Sequence, residues 1–274
     1  MLKNYILITL RSFSRNKTFI FINVFGLGIA VSCCVVAYLI WDFSVGFDRN
    51  HLNAESIYRI QSHQDYQGQR NRFATAPMPL GSVIRENFSD VDAVVRYTSA
   101  PGNFRIGDDV FNSPVAYADS AFFDLFTFTL KSGTFTSLHD KSRILISDEL
   151  ARKYFDTEEV TGKPITQINN GILKEFIIGG VFEEQPLNSS FGFKAITLWD
   201  NCWDAMGETQ SRNSDWKAMN TLFIQVKDPT ALPGITQQLQ AYIEPQNRSR
   251  EDLKISEYYL QKFSTLAANF HGDT

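Results

Sequence analysis

Cysteine is scarce in this 274-residue chain, which contains three. Cys33 and Cys34 lie inside a long apolar run, so Cys202 is alone in the polar part of the sequence. A lone thiol cannot form a disulfide bond within its own domain, which excludes the small folds that disulfides staple together. We therefore expect an apolar core to hold the polar part together, and Cys202 to be a buried or half-buried thiol.

Motifs for catalysis and for metal binding are also missing. The four histidines are scattered without HExxH or any paired ligand spacing, at His51, His63, His139 and His271. The GxSxG elbow of serine hydrolases is absent. The segment 161–163 (TGK) resembles the end of a phosphate-binding loop, but Pro164 stands where the motif needs Ser or Thr, which favours a plain turn. The sequence thus indicates no catalytic, cofactor-binding or metal-binding residue and no cofactor, and we expect a protein that is not itself an enzyme.

Acidic residues do not occur before position 42. The first 17 residues carry four of the 26 basic residues. The part beyond residue 41 contains the other 22 basic residues and all 30 acidic residues, so its net charge is −8. A net-acidic domain repels phosphate backbones, and its basic residues form no stripe. We expect no nucleic acid partner.

Residues 18–41 are predicted to form a transmembrane helix. Phe19 to Trp41 contains no charged residue, and a helix of that length rises roughly 35 Å, enough to cross about 30 Å of hydrocarbon. Lys and Arg mark the cytoplasmic side, so we expect a cytoplasmic N-terminus and residues 42–274 outside the bacterial inner membrane, in the periplasm. Residues 1–17 have the spacing of an amphipathic helix lying on the cytoplasmic leaflet.

Two other interpretations of the apolar run are open. Ala30-Val31-Ser32 could be the small-residue site of a cleaved signal peptide, and with Cys33 it resembles a loose lipobox, which would make the chain a lipoprotein anchored at Cys33. Either cut would leave an apolar new N-terminus, and the run continues past the site. An uncleaved membrane anchor is favoured.

Beyond Trp41 the pattern alternates between strands and helices. The segments 56–62, 79–88 and 91–98 read as strand, helix and strand, and 221–226, 232–243 and 254–260 repeat that order. Two β-α-β units far apart in sequence indicate an α+β domain interrupted by an insertion at roughly 101–218. Within the insertion we predict a helix over 147–155 with Ser147 as its N-cap, and a buried strand over 174–182 with a bulge at Gly179-Gly180.

Several stretches, in order, resemble one family. LRSFSRNKTFIFINVFGLGIAV is similar to the opening of MacB/FtsX-like ABC transporter permeases, and FDRNHLNAESIYRI to the start of their periplasmic core. DSAFFDLFTFTLKSG, ILISDELARKYFDTEEVTGKPI and FIIGGVFEEQPLNSSFGF resemble later landmarks of that core, in the style of Bacteroidetes members. The resemblance runs from residue 1 to about 263.

The resemblance carries expectations about architecture and role. It implies a porter-like subdomain formed by residues 48–100 and 219–265, and an inserted Sabre-like subdomain formed by residues 101–218. It implies a permease subunit that transmits the motion of a separate cytoplasmic ABC ATPase to a periplasmic domain. Family members continue into at least three more membrane helices, so we expect a fragment or a shortened relative of a longer permease.

The partners that the resemblance implies are the cytoplasmic ATPase, a second copy or second permease half, a periplasmic adaptor and the membrane. A different function class is also compatible with the sequence: a single-pass sensor whose external domain binds a ligand.

Overall fold

A 29-residue helix, α1 (Lys17–Val45), comes first in the computed structural model, which describes residues 17–66, 69–169, 171–206 and 212–266. Its most apolar 18-residue window has a mean hydropathy of 2.5, and by length and composition the helix could cross a membrane. Helical geometry continues four residues beyond Trp41 and includes Asp42. The amphipathic helix predicted for residues 1–17 lies outside the described residues, except for Lys17.

Residues 47–274 form a separate compact unit, in which strands and helices are mixed as predicted. In the described part, its strands are β1 (Ile57–Tyr66), β2 (Gln69–Phe73), β3 (Ala76–Pro77), β4 (Ala93–Ile106), β5 (Asp109–Ala118), β6 (Leu130–Gly133), β7 (Arg143–Ser147), β8 (Pro164–Asn169), β9 (Ile172–Phe182), β10 (Ala195–Leu198), β11 (Met219–Gln225) and β12 (Ile255–Lys262). Its helices are α2 (Met78–Asn87), α3 (Phe122–Leu125), α4 (Asp148–Phe155), α5 (Asn201–Met206), α6 (Leu232–Leu239) and α7 (Ile243–Ser249).

The strands join in one sheet with the order β12-β1-β11-β4-β5-β10-β7-β9-β6. Its first four strands are antiparallel neighbours, so the two β-α-β units interlock: each unit's strands are separated by a strand of the other unit. When these four strands are numbered 1 to 4 along the chain, their order across the sheet is 4-1-3-2. This is the split β-α-β arrangement of ferredoxin-like sheets. β5 to β10, which follow β4 in the chain, extend the same sheet on the β4 side.

Both helical segments of the interlocked units cover one face of this group of strands. Leu80 and Ile84 of α2 and Leu239 of α6 are fully buried there, against apolar residues of β1, β4, β11 and β12. The opposite face, through Ile57 and Phe223, packs against a cluster rich in phenylalanine. These strands are therefore buried on both faces.

The local predictions for the inserted segment are confirmed. The Ser147 side chain caps α4 by accepting a hydrogen bond from the Leu150 N–H (3.1 Å). β7 and β9 pair in parallel with a register shift that skips Gly179, which is the predicted bulge. A side chain at this position would meet Ser137 at 2.4 Å, so the bulge needs glycine for space.

The helix predicted over 232–243 differs from the observed one. α6 ends at Leu239, a 3₁₀ turn follows (Gln240–Tyr242), and α7 then runs to Ser249. Pro245 explains the break, because it has no N–H to donate and its ring clashes with the carbonyl four residues earlier. The Gln240 side chain, released at the break, exchanges hydrogen bonds with the backbone of Tyr258 in β12 (2.8 and 3.1 Å).

Candidate functional site: the N-terminal clamp

The connection between α1 and the compact unit is very short. α1 ends at Val45, and the Gly46 N–H still donates to the Asp42 carbonyl (2.9 Å). Asp48 then adopts a left-handed backbone conformation (φ 56°), which Asp tolerates better than most residues. From Asp48 to Asn53 the chain is held at almost every residue, and we call this segment with its partners in 124–127 and 185–191 the N-terminal clamp.

Asp48 joins the clamp to a loop that lies 140 residues later. Its N–H donates to the Asn188 carbonyl (2.9 Å), and its carboxylate accepts from both the Ser190 N–H (2.6 Å) and the Ser190 hydroxyl. The side chain is almost completely buried. Burial raises the pKa of Asp48, while the hydrogen bonds from Ser190 act in the opposite direction. Three hydrogen bonds therefore hold the buried Asp48, which lies two residues after Gly46.

His51 is the centre of the clamp and is 3 % exposed. The Thr127 N–H donates to its Nδ1 (3.1 Å), so Nδ1 carries no proton and the neutral ring is protonated on Nε2. Nε2 has no hydrogen-bond partner among the described residues and lies 3.9 Å from an oxygen of Asp48. Burial lowers the pKa of His51 to about 4, so the ring is neutral at physiological pH.

Four phenyl rings surround the imidazole. Its centroid lies between 5.4 and 5.9 Å from the centroids of Phe126, Phe128, Phe191 and Phe263. Three of these contacts are edge-on and that with Phe128 is tilted, and contacts of this kind add to the stability that burial of the rings provides. The phenylalanines come from three distant parts of the sequence, so His51 ties the start of the compact unit to its main aromatic core.

Two asparagines and a backbone amide complete the clamp. Asn50 donates to Gln185, and Asn53 donates to the Leu125 carbonyl (3.2 Å). The Leu52 N–H donates to the Thr127 hydroxyl (3.0 Å). Through these bonds the segment Asp48–Asn53 contacts two other segments of the chain, 124–127 and 185–191.

A buried ion pair lies elsewhere in the same unit. Arg96 of β4 makes paired hydrogen bonds to Asp119, which follows β5, with donor–acceptor distances of 2.6 to 3.2 Å. A further guanidinium nitrogen donates to Asn213, which also accepts from the indole of Trp199. Arg85 borders a polar cleft of about 400 Å³ beside Asp119. This cluster cross-links β4 to the inserted strands.

The residues that the sequence singled out do not form a common site. His51 is buried, His63 is half-buried on β1, His139 is exposed, and His271 lies outside the described residues. Across the described ranges, no group of three or more His, Cys, Asp or Glu residues could hold a metal ion. Cys202 is fully buried, as expected, and its burial raises the pKa of the thiol to about 12.

The clamp residues themselves were not identified as functional from sequence. A signal was nevertheless present, because the clamp unites three of the stretches that carry the family resemblance. Asp48 and His51 stand in FDRNHLNAESIYRI, Thr127 in DSAFFDLFTFTLKSG and Ser190 in FIIGGVFEEQPLNSSFGF. Only the fold shows that they meet.

Comparisons with known proteins agree on one kind of domain. Residues 20–242 match the family model of the MacB-like periplasmic core domain. A domain described as part of a permease protein from Porphyromonas gingivalis superposes with a TM-score of 0.61 at 20% identity, covering 78% of this chain and 92% of that one.

Two further solved structures have the same fold. The periplasmic region of MacB from Actinobacillus actinomycetemcomitans gives a TM-score of 0.53 at 14% identity, covering 84% of this chain and 96% of that one. The extracellular domain of the noncanonic ABC-type transporter YknZ from Gram-positive bacteria gives 0.52 at 12% identity, covering 73% and 100%. No curated protein sequence matches the chain.

Proposed function

The chain belongs to the family of MacB-like periplasmic core domains, and from that premise we propose that it is the permease subunit, or part of one, that transmits the motion of a cytoplasmic ATPase to the periplasmic domain. Such coupling would drive the export or extrusion of a substrate. ATP hydrolysis would take place in the separate ATPase subunit. The chain itself supplies the apolar helix and the external domain of an ABC-transporter permease-type protein.

The observation that carries this proposal is the N-terminal clamp. Only Gly46 and Phe47 separate the last residue of α1 from Asp48, the first clamped residue. A passive tether needs no such fixation, and flexible linkers serve well between independently moving parts. A permease that transmits motion does need it, because a flexible connection would take up the movement of α1 before that movement reached the periplasmic domain.

The topology in the membrane is part of the proposal. The basic residues before Phe19 and the acidic residues after Trp41 favour a cytoplasmic N-terminus and a periplasmic location for residues 42–274, anchored in the inner membrane. Cys33 lies in the middle of the unbroken helix α1, which favours an uncleaved anchor over a lipoprotein. Alkaline phosphatase fused after residue 274 is expected to be active in cells.

The subdomain division is proposed as well. Residues 48–100 and 219–265, which carry the interlocked β-α-β units, would form the porter-like part, and residues 101–218 the Sabre-like insertion. The partners would be an ABC ATPase, a second copy or permease half, and a periplasmic adaptor. The interruption between β4 and β11 supports the division.

The experiment is an insertion that makes the connection between α1 and the N-terminal clamp flexible. Six Gly/Ser residues placed between Phe47 and Asp48, in the intact permease with its ATPase, add a coil with an r.m.s. span of about 13 Å. We expect normal membrane levels and normal ATP hydrolysis, but no rescue of the phenotype of the gene's deletion.

The matched control carries the same insertion between Gly107 and Asp108, in the exposed turn of the β4–β5 hairpin. This variant is expected to rescue fully. If the insertion after Phe47 also rescues, the proposed transmission of motion is refuted and the sensor interpretation gains support.

A further inference from the structure

β12 is an end strand of the sheet. In the described part of the chain, β1 lies on one side of it and no strand lies on the other. An end strand presents backbone N–H and C=O groups to which a strand of another molecule can add. At the opposite end of the sheet, β6 is only four residues long, which by itself limits such pairing. β12 has eight residues and no proline, so its edge needs another form of protection.

Two side-chain amides occupy this edge. Gln240 exchanges two hydrogen bonds with Tyr258: its Oε1 accepts from the Tyr258 N–H (3.1 Å) and its Nε2 donates to the Tyr258 carbonyl (2.8 Å). Asn247 does the same with Ile255, through its Oδ1 (2.8 Å) and its Nδ2 (2.9 Å). A residue of a neighbouring antiparallel strand makes this same exchange with its partner. The two amides thus reproduce the bonds of a neighbouring strand, and we call them the edge cap.

The register of β1 shows that the capped backbone groups face outward. Just before β1, the Ser56 carbonyl accepts from the Val226 N–H, so the backbone of Ser56 points toward β11 and away from β12. Successive residues of a strand alternate between its two edges, so Ser62, six residues later, also points away from β12. Tyr258 lies opposite Ser62 and in turn points away from β1. The edge cap therefore bonds the outer edge of the sheet.

Spacing along the chain places both amides correctly. Gln240 and Asn247 are seven residues apart, a helical rise of about 10 Å, and Ile255 and Tyr258 are three residues apart, a strand length of about 10 Å. The order of the contacts is reversed, because the helical segment runs antiparallel to β12. The Gln240 amide is also held from its own helix, since its Nε2 donates to the Thr236 carbonyl (2.7 Å). The edge cap is thus a fixed part of the fold.

We propose that the edge cap closes the outer edge of β12 to strand addition, and that the partner it excludes is the β12 of a second copy of this chain. Two copies of one edge strand can pair antiparallel about a two-fold axis, so the bare edge is self-complementary. With the amides in place, the donors and acceptors of Ile255 and Tyr258 are already bonded, and a second strand gains no hydrogen bond there. This inference concerns the external unit alone and does not depend on the proposed transmission of motion.

The test uses the full 274-residue chain in detergent micelles. The double variant Gln240→Ala, Asn247→Ala removes the edge cap, and the double variant Gln237→Ala, Gln238→Ala changes two exposed residues of the same helical segment as a control. Hydrogen exchange is followed at single residues, at low protein concentration. Exchange at Ile255 and Tyr258 should be about tenfold faster without the edge cap than in the wild type and the control, while exchange in β4 stays unchanged.

Association is the second measurement. As the concentration is raised, light scattering should show the variant without the edge cap reaching about twice the mass of the wild type and the control, because its β12 strands pair. The protection of the Ile255 and Tyr258 amides should return at the same time. Unchanged exchange, unchanged mass, or association without the return of protection would each overturn the proposal.

Unfolding of the double variant would show as fast exchange in β4 as well. In that case the single variant Gln240→Ala is measured in the same way. Faster exchange at Tyr258 that is reversed by association would support the proposal, and any other result for this variant would overturn it.

Discussion

The buried imidazole at the centre of the clamp makes the stability of the external domain depend on pH. The pKa of His51 is about 4 in the folded protein, against 6.5 for an unperturbed histidine. The unfolded chain therefore binds a proton on this ring at a higher pH than the folded protein does. The contribution of the ring to stability is complete above pH 6.5 and is lost as the pH falls toward 4.

The magnitude follows from that shift. Each pKa unit corresponds to about 1.4 kcal/mol, so between pH 7 and pH 4.5 the folded domain should lose about 2 to 3 kcal/mol through His51 alone. Asp48 works in the opposite direction, because its raised pKa lets the folded state take up a proton first on acidification. Only a comparison with a variant isolates the histidine.

His51→Asn is the appropriate variant. The asparagine carbonyl can accept the hydrogen bond from the Thr127 N–H in place of Nδ1, but the side chain does not titrate. The smaller side chain leaves a gap among the phenyl rings, which should cost about 1 to 3 kcal/mol at pH 7. His139→Asn removes an exposed histidine and is the control.

The assay is urea unfolding of residues 47–274, the unit with its own core, at pH 7 and pH 4.5. The free energy of unfolding should fall by about 2 to 3 kcal/mol more for the wild type and for His139→Asn than for His51→Asn. An identical fall in all three proteins would refute the reasoning, because it would mean that His51 titrates normally when folded.

Three other predictions concern the core of the unit. Gly179→Ala should destabilise the unit by about 1 to 3 kcal/mol, because the new methyl group would overlap the Ser137 side chain at 2.4 Å. Gly192→Ala is the control: its methyl group would meet nothing within 4 Å, so the unfolding midpoint should change little. Asp119→Ala should cost about 3 to 5 kcal/mol in urea unfolding because it leaves the buried charge of Arg96 without its carboxylate partner, and the double variant Arg96→Met, Asp119→Leu should recover part of this loss. An unchanged midpoint for Asp119→Ala would contradict the buried pair. Cys202 should react with maleimide at pH 7.5 only as fast as the unit unfolds, and rapid labelling of folded protein would contradict its burial and its pKa of about 12.

Local signals in the sequence were sufficient for much of the fold. The cap at Ser147 and the bulge at Gly179 could be predicted because each depends on residues within one element or on the special geometry of glycine. The β-α-β units could be predicted from periodicity. The break before Pro245 follows from local chemistry too, and the apolar spacing over 232–243 concealed it.

The clamp could not be predicted from the same signals. Asp48 and Ser190 are separated by 142 positions, and neither belongs to a pattern that specifies a distant partner. His51 looked like one of several scattered histidines, because a ring packed among phenylalanines leaves no spacing rule in the sequence. Contacts of this kind depend on the register of the whole sheet, which periodicity does not determine.

The position of β1 in the sheet has a consequence for the order in which the domain can fold. β1 lies between β11 and β12, and its pairs Ile57–Gln225 and Tyr58–Lys262 join the first strand of the unit to the last ones. At roughly 5 to 20 residues per second, about 200 further residues take 10 to 40 seconds to synthesise. During that time β1 can pair with nothing but its own hairpin partner β2, so the sheet cannot close until synthesis of the unit is nearly complete. The inserted strands β5 to β10 need no such wait, and the part that arrives in the middle of the chain can be the first to fold.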